Sequence, residues 1–173
     1  MVSSGTLSEE IFYHDVLQAL CEARVKFVIV GGVAVNLQGV PRFTADLDLA
    51  VPFERANTEA LSRVMSSLGL TPRLSVRVEQ LADEEVVRSW IQDRNLKAFT
   101  FQDVNDPLRQ VDLVLDSPMP FAEIERAAQH ISAVGLSLLV AAPRTLIAMK
   151  QGTGRAQDEA DIDALERILE FEK

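Results

Sequence analysis

The sequence contains one cysteine, Cys21, and two histidines among its 173 residues. A single thiol excludes an intramolecular disulfide, and the lack of a Cys/His cluster argues against a zinc site. No apolar run approaches the ~20 residues that a transmembrane helix needs. The first residues do not show a basic segment followed by an apolar one, so no signal peptide is predicted. These absences predict a cytoplasmic protein without a membrane partner.

The chain also lacks an excess of basic residues. Its 17 Lys and Arg stand against 26 Asp and Glu, which gives a net charge of −9 and a pI of about 4.7. Proteins that bind nucleic acid over a broad surface usually carry a basic excess. The acidic balance leaves three alternatives open: a small substrate, a macromolecular substrate held locally, or a basic partner.

Length and patterning predict a single domain over residues 1–173, in which residues 143–173 form a C-terminal helical element. Alternating helical and strand patterns indicate an α/β (α+β) fold, a mixed β-sheet flanked by helices. The predicted helices cover residues 7–23, 33–38, 55–68, 77–93 (in two pieces), 121–128, 143–150 and 157–171. The predicted strands cover residues 26–30, 45–51, 97–101, 110–115, 131–134 and 137–140.

Two acidic residues, Asp46 and Asp48, lie within an otherwise apolar predicted strand. Side chains at positions i and i+2 of a strand point to the same face, so both carboxylates project together. Two like charges on a strand that packs in the core repel each other and resist desolvation. A divalent cation is the simplest group that would compensate them.

The strand before this pair ends in Gly31-Gly32, directly ahead of a short predicted helix. Glycine lets the backbone turn sharply and lets a ligand approach its amides, and a helix start suits a phosphate. The alternative is a strand-to-helix turn that simply requires glycine, and for Gly-Gly taken alone this alternative is favoured. The combination with Asp46 and Asp48 favours the functional interpretation.

A third carboxylate would complete a metal site, and Asp112 offers one in another apolar strand. The alternative is that Asp112 lies near a strand end and is solvated. Asp116 competes for the same role, but the Ser-Pro that follows it indicates a loop. We therefore expect Asp112 to be the third metal ligand.

A last charged group lies in the C-terminal element: Lys150, Arg155, Asp158 and Asp161. Lys150 ends an apolar helix, where it either stabilises the helix dipole or holds a triphosphate. Asp158 and Asp161 are three residues apart and share one helical face. For these two, stabilisation of the helix start or pairing with Lys150 and Arg155 is the alternative to a catalytic role.

Arg42 and Thr44 precede the acidic pair at the same two-residue spacing. The spacing places both on the face of the carboxylates, where they would border a bound nucleotide. Arg42 either contacts phosphate or balances the acidic charge, and the sequence does not separate these two roles.

Together the motifs form one ordered pattern: Gly31-Gly32, then Arg42-x-Thr44-x-Asp46-x-Asp48, then Asp112. This pattern resembles the nucleotidyltransferase superfamily that includes DNA polymerase β and kanamycin nucleotidyltransferase. The later series Lys150…Arg155…Asp158…Asp161 resembles the AbiE-type toxin branch, the nucleotidyltransferase-like toxins of bacterial toxin–antitoxin pairs. The resemblance spans about residues 26–170.

The resemblance implies a role for each motif. Gly31 and Gly32 would bind the nucleotide phosphates, Lys150 would contact phosphate, and Asp158 would be the catalytic-loop carboxylate of that branch. The metal ligands would hold two Mg²⁺ ions and belong to the catalytic set: Asp46, Asp48 and Asp112. Val33 stands after the glycines, so the serine hydroxyl of the Gly-Ser form is missing, and no large second domain is present to hold an acceptor.

The function implied is Mg²⁺-dependent transfer of a nucleoside monophosphate from a nucleoside triphosphate to an acceptor hydroxyl. The acceptor would be RNA, protein or a small molecule, and the protein would belong to a toxin–antitoxin pair with an antitoxin partner. The main alternative is a non-catalytic nucleotide-binding module, or a subunit that requires a partner. An unrelated metal-binding or scaffold protein would need all the motifs to co-occur by chance.

Overall fold

A computed structural model describes residues 13–173, and within them the chain forms a seven-stranded mixed sheet with helices packed against it. The strands are β1 (Val28–Val30), β2 (Leu47–Ala50), β3 (Leu70–Pro72), β4 (Ala98–Asp103), β5 (Gln110–Val114), β6 (Gln129–Ala133) and β7 (Leu136–Val140). They lie in the order β3-β4-β5-β2-β1-β7-β6. This mixed sheet confirms the predicted fold class.

The described residues also form seven α-helices and one 3₁₀ helix over Val78–Ala82. The α-helices are α1 (His14–Glu22), α2 (Gly31–Leu37), α3 (Arg55–Ser67), α4 (Glu84–Arg94), α5 (Phe121–Ala127), α6 (Pro143–Lys150) and α7 (Ala156–Phe171). None of these helices has the length and apolarity required to cross a bilayer. The C-terminal helical element consists of α6 and α7.

The centre of the sheet is formed by β5, β2 and β1. Strand β2 runs parallel to β5, with Asp48 opposite Asp112. It runs antiparallel to β1, with Asp48 opposite Val30, the last residue of that strand. The chain then enters α2 at once, so the start of α2, Asp48 and Asp112 meet in one region of the sheet.

The opposite face of these strands forms the hydrophobic core. The apolar residues that alternate with the acidic positions have no exposed surface: Leu47, Leu49, Val111 and Leu113. Burying each such side chain stabilises the fold by roughly 1.5–3 kcal/mol. Because side chains alternate along a strand, burial of this face fixes the register and holds Asp48 and Asp112 on the other face.

Two boundaries near the acidic residues differ from the sequence prediction. Helix α2 begins at Gly31 and not at Val33, because the positive φ of Gly31 (65°) lets the chain turn directly out of β1. Strand β2 begins at Leu47 and not at Ala45, so Asp46 lies just before the ladder. The backbone bends at Asp46 instead of continuing the pairing with β5.

Other differences lie away from this region. The sequence pattern does not predict β3, which is a three-residue edge strand that ends in Pro72. Proline removes a ladder donor and is tolerated at such an edge. Helix α1 ends at Glu22, close to the predicted end, whereas the predicted start at residues 7–12 lies outside the described residues.

The hairpin between β6 and β7 contains a strained residue. Ala133 pairs with Leu136, which leaves Val134 and Gly135 as the two-residue turn. Both have positive φ, 45° and 78°, as a type I′ turn requires. Glycine tolerates this conformation, but a β-branched residue such as valine does not.

We expect Val134→Asn to stabilise the protein by roughly 0.5–1 kcal/mol, because Asn-Gly is the preferred pair in such turns. The contact between His14 Nε2 and the backbone carbonyl of Val134 (3.2 Å) does not depend on the side chain. Urea titration of the free energy of unfolding checks this, with Val134→Thr as a β-branched control that gives no gain. A loss of stability in Val134→Asn would show that Val134 is not strained in the native protein.

Candidate active site

The first glycine of α2 lies directly against an acidic side chain. Gly31 adopts a left-handed conformation, and a Cβ placed on it would stand 2.1 Å from Oδ2 of Asp48. No side chain other than hydrogen fits at that distance. The backbone of residue 31 therefore contacts the Asp48 carboxylate, which joins the glycine motif to the acidic motif as the sequence predicts.

The second glycine lies against the two polar residues that precede the acidic pair. A Cβ on Gly32 would stand 2.3 Å from Nη1 of Arg42 and 2.5 Å from Oγ1 of Thr44. The same hydroxyl lies 3.4 Å from the carbonyl oxygen of Asp46 and donates to it. The four residues predicted to bind nucleotide thus lie together, next to the acidic residues.

The parallel pairing of β2 and β5 brings the predicted carboxylates together. Asp48 and Asp112 are opposite each other on neighbouring strands. Asp46 lies two residues before Asp48, outside the ladder, and its charge raises the pKa of Asp48. On the far side of β5, Thr100 pairs with Asp112, and its hydroxyl donates to Oδ1 at 2.6 Å.

Burial raises the pKa of all three carboxyl groups, and for Asp46 and Asp48 neighbouring negative charge raises it further. For Asp48 the shift is large: burial, followed by the charges of Asp112 and Asp46, raises its pKa to about 7. Burial and the charge of Asp112 raise the pKa of Asp46. Burial also raises the pKa of Asp112, although the Thr100 hydroxyl opposes this shift. The fold therefore concentrates negative charge where solvent screens it poorly.

This set of oxygen donors fits a Mg²⁺ ion whose coordination is completed by oxygens of a bound substrate. Within residues 13–173, no group of three or more His, Cys, Asp or Glu side chains is placed to hold a metal ion without further ligands. Mg²⁺ keeps several waters and is usually held by one or two carboxylates together with substrate phosphates. The adjacent carboxylates with raised pKa values are the groups that a cation would stabilise.

The C-terminal element contributes a buried ion-pair network. Lys150, at the end of α6, places Nζ 3.1 Å from Oδ1 of Asp158 and 3.0 Å from Oδ2 of Asp161. Arg155 Nε donates to Asp158 at 2.7 Å, and so does the hydroxyl of Thr153. Burial alone would raise the pKa of Asp158, but Thr153, Lys150 and Arg155 together lower it. The pairing that the sequence offered as an alternative is therefore present.

Arg42 connects this network to the glycine motif. Its Nε lies 3.4 Å from Oδ1 of Asp161, while its Nη1 borders Gly32. Arg42 Nε and Asp161 Oδ2 are buried and form ion pairs, yet within residues 13–173 neither has an aligned hydrogen bond. Lys150 and Arg155 also lower the pKa of Asp48, so the network lies close to the carboxylates.

Sequence reasoning missed three residues that support the site. Thr100 bonds Asp112, Arg73 lowers the pKa of Asp112, and Tyr13 contacts the backbone two residues or fewer before Asp46 and Asp112. These contacts depend on the tertiary structure, in which Thr100 is paired with Asp112 across two strands and Tyr13 packs against both acidic segments. Asp116, the competing candidate, lies after β5 and pairs with Lys97 at the surface.

A cavity of about 500 Å³ lies elsewhere. It is bordered by residues that follow the carboxyl ends of β2 and β5, including Pro52, Phe53, Ser117 and Met119. Gly31 and Asp46 lie at the amino end of β2, so the cavity and the acidic site are at opposite ends of the same strands. No predicted site residue borders this cavity.

Fold and site together define a nucleotidyltransferase, an enzyme class that handles nucleotide phosphates with a glycine turn and strand-borne carboxylates. The sequence model of the family described as "Nucleotidyl transferase AbiEii toxin, Type IV TA system" matches residues 15–151. The chain belongs to this family. The match includes all predicted site residues except Asp158, which lies beyond its end. No curated protein matches the sequence significantly.

Solved structures share the fold at low sequence identity. The lincosamide antibiotic adenylyltransferase LnuA, bound to lincomycin, is 15% identical with a TM-score of 0.61, covering 92% of this chain and 96% of its own. ANT(2″)-Ia, an antibiotic-resistance factor, is 13% identical with a TM-score of 0.61, covering 94% and 85%. A nucleotidyltransferase from Thermotoga maritima is 13% identical with a TM-score of 0.50, covering 91% and 92%.

We expect Gly31→Ala to lower the free energy of unfolding by at least about 2 kcal/mol, because the methyl group meets both a positive φ and the Asp48 carboxylate. Gly69→Ala is the matched control. Gly69 also has a positive φ (73°), but nothing lies within 4 Å of the added Cβ. Equal losses in the two variants, measured by urea titration, would show that no close contact with Asp48 exists.

We expect Asp48→Asn to stabilise the metal-free protein at pH 7 by roughly 1–3 kcal/mol. The folded-state pKa of Asp48 is raised to about 7 from the ordinary 3.8, so its carboxyl favours folding below about pH 4. That contribution to stability is lost as the pH rises toward 7 and the carboxyl ionises. Asn cannot ionise, so the variant keeps its stability over this range. Denaturant midpoints from pH 4 to 8 check this, with surface Asp116→Asn as control; a destabilised Asp48→Asn at pH 7 would contradict it.

Proposed function

We propose that this nucleotidyltransferase transfers a nucleoside monophosphate from a nucleoside triphosphate to an acceptor hydroxyl, with Mg²⁺ as cofactor. The observation that supports the proposal most strongly is the register that pairs Asp48 with Asp112, next to Gly31. Acidic side chains at this density need a cation, and a backbone free of side chains beside them suits a phosphate group.

In this proposal the nucleotide phosphates lie against the glycine motif. Gly31 and Gly32 offer backbone N–H groups, and the lack of Cβ atoms lets phosphate oxygens approach them. Arg42 and Thr44 border Gly32 and provide donors for the same oxygens. Lys150 supplies a further positive charge, oriented by its pairs with Asp158 and Asp161.

The reaction forms a bond between the acceptor oxygen and the α-phosphorus and breaks the bond to the leaving pyrophosphate. Two Mg²⁺ ions held by Asp46, Asp48 and Asp112 would stabilise the charge that develops on the entering and leaving oxygens. Asp112, whose Oδ1 accepts a hydrogen bond from the Thr100 hydroxyl at 2.6 Å, would take the proton of the attacking hydroxyl. Asp158 stays ionised, because Thr153, Lys150 and Arg155 lower its pKa, and it keeps Lys150 in place.

For the acceptor, the family match carries more weight than the fold likeness. It spans residues 15–151 and describes a toxin of a type IV toxin–antitoxin system. The solved antibiotic adenylyltransferases share only 13–15% identity, which supports the fold alone. We therefore favour a toxin that modifies a macromolecular hydroxyl, on an RNA or a protein, and is countered by an antitoxin. Since nucleoside triphosphates are abundant in the cytoplasm, we expect the enzyme to act there.

We expect the purified protein to transfer label from α-³²P nucleotides to total RNA or to protein, only with Mg²⁺ present. Asp48→Ala should reduce transfer at least about 100-fold, because it removes the central carboxylate of the set. Asp116→Ala, which changes an acidic residue outside the site, should transfer normally.

Absence of transfer by the wild type, with all four nucleotides and both acceptor pools, would contradict the proposal. If nucleotides then raised the melting temperature without Mg²⁺, a non-catalytic nucleotide-binding module would be the better description.

A further inference from the structure

The single tyrosine of the chain, Tyr13, bridges the two acidic strands through its hydroxyl. The hydroxyl oxygen makes a close hydrogen bond to the carbonyl of Ala45 and lies 3.0 Å from the carbonyl of Gln110. The backbone N–H of Gln110 donates to the same hydroxyl at 3.4 Å. One side chain thus contacts the backbone of two segments 65 residues apart in sequence.

Both contacted residues lie just ahead of predicted metal ligands. Ala45 directly precedes Asp46, and Gln110 opens β5 two residues before Asp112. The ladder between β2 and β5 begins only at Leu47 and Val111. Pairing therefore fixes Asp48 against Asp112 but does not reach Asp46, and the Tyr13 hydroxyl supplies a connection at that point.

The tyrosine is itself held firmly. Its side chain is almost fully buried, and the guanidinium of Arg109 lies 5.8 Å from the centre of its ring. Arg109 pairs with Asp15 (2.6 Å) and with Asp103 (3.7 Å). Because these contacts restrict the Tyr13 side chain, its hydroxyl can hold the contacted backbone in one position.

The hydroxyl keeps its proton over the whole physiological range. Burial raises the pKa of Tyr13 to about 12, and the charges of Asp46 and Asp112 add to the effect. A protonated phenol can donate to one carbonyl while its oxygen accepts from the N–H of Gln110. The Tyr13 hydroxyl can therefore donate a hydrogen bond throughout the physiological pH range.

We infer that Tyr13 is a positioning residue that sets the distance of Asp46 from Asp112 by tying together the backbone ahead of both. This inference rests on the proposed function, in which these carboxylates hold divalent cations. It assigns to the residue that precedes α1 a role in metal binding that no motif indicates. Sequence spacing cannot reveal it, since Tyr13 is 33 residues from Asp46 and 99 from Asp112.

The test compares Tyr13→Phe with the wild type in Mn²⁺ binding and in label transfer. Removing the hydroxyl leaves the ring, so the melting temperature should fall by only a few degrees. We expect the Mn²⁺ dissociation constant, measured by EPR of the full chain, to rise about 10-fold. We expect kcat to fall about 10- to 100-fold with little change in nucleotide KM.

The matched control is Thr58→Val. Thr58 is buried, and its hydroxyl donates to backbone carbonyls, those of Glu54 and Arg55, but it lies in α3 away from the acidic residues. It should lose some stability and keep both Mn²⁺ affinity and kcat. Equal Mn²⁺ affinity in Tyr13→Phe and wild type, or an equal loss in Thr58→Val, would overturn the inference.

A second measurement uses the wild-type protein and applies even if the Tyr13→Phe variant fails to fold. Because the chain has one tyrosine, biosynthetic 3-fluorotyrosine labels this position alone. Addition of Mg²⁺ should shift its ¹⁹F resonance, and an unchanged resonance at saturating Mg²⁺ would overturn the inference. Mn²⁺ binding that weakens in Tyr13→Phe, in a protein that transfers no label, would support the inference and contradict the proposed function.

Discussion

The structure is organised around an unfavourable interaction, the crowding of Asp46, Asp48 and Asp112 in a poorly solvated region. Burial of these carboxyl groups, joined for Asp46 and Asp48 by neighbouring negative charge, destabilises their ionised forms, and their raised pKa values express that cost. The hydrophobic face of β2 and β5 offsets it, since fully buried residues such as Leu47 and Leu113 fix both strands in register. An acidic cluster that the core maintains against repulsion is typical of a functional site.

Two other parts of the chain reach this cluster by different means. The glycine motif lies against the cluster because Gly31 and Gly32 have no side chains, so neighbouring side chains such as that of Asp48 pack directly on their backbone. The C-terminal helices reach it through charge, since Lys150 is paired with α7 and lowers the pKa of Asp48. The ion pair of Arg42 with Asp161 joins the two. Helix α7 is thereby part of the site although the family match ends before it.

Much of this structure could be predicted from short sequence patterns. The two-residue spacing of Asp46 and Asp48 and the apolar strand around Asp112 predict one acidic face, and the register places Asp48 opposite Asp112. The features that could not be predicted depend on contacts between residues distant in sequence. Tyr13 and the Arg42–Asp161 pair join residues 32 to 119 positions apart. The early start of α2 escaped prediction because it depends on a positive φ at Gly31, which the residue pattern does not specify.

The most direct measurement is anomalous diffraction from crystals grown with Mn²⁺ and a non-hydrolysable nucleoside triphosphate. If the carboxylates and the glycine motif form one catalytic centre, a manganese peak should lie between Asp48 and Asp112, with the triphosphate against Gly31 and Gly32. A nucleotide bound elsewhere, for example in the cavity beside Phe53 and Met119, with no metal at the carboxylates, would contradict the enzyme's proposed chemistry.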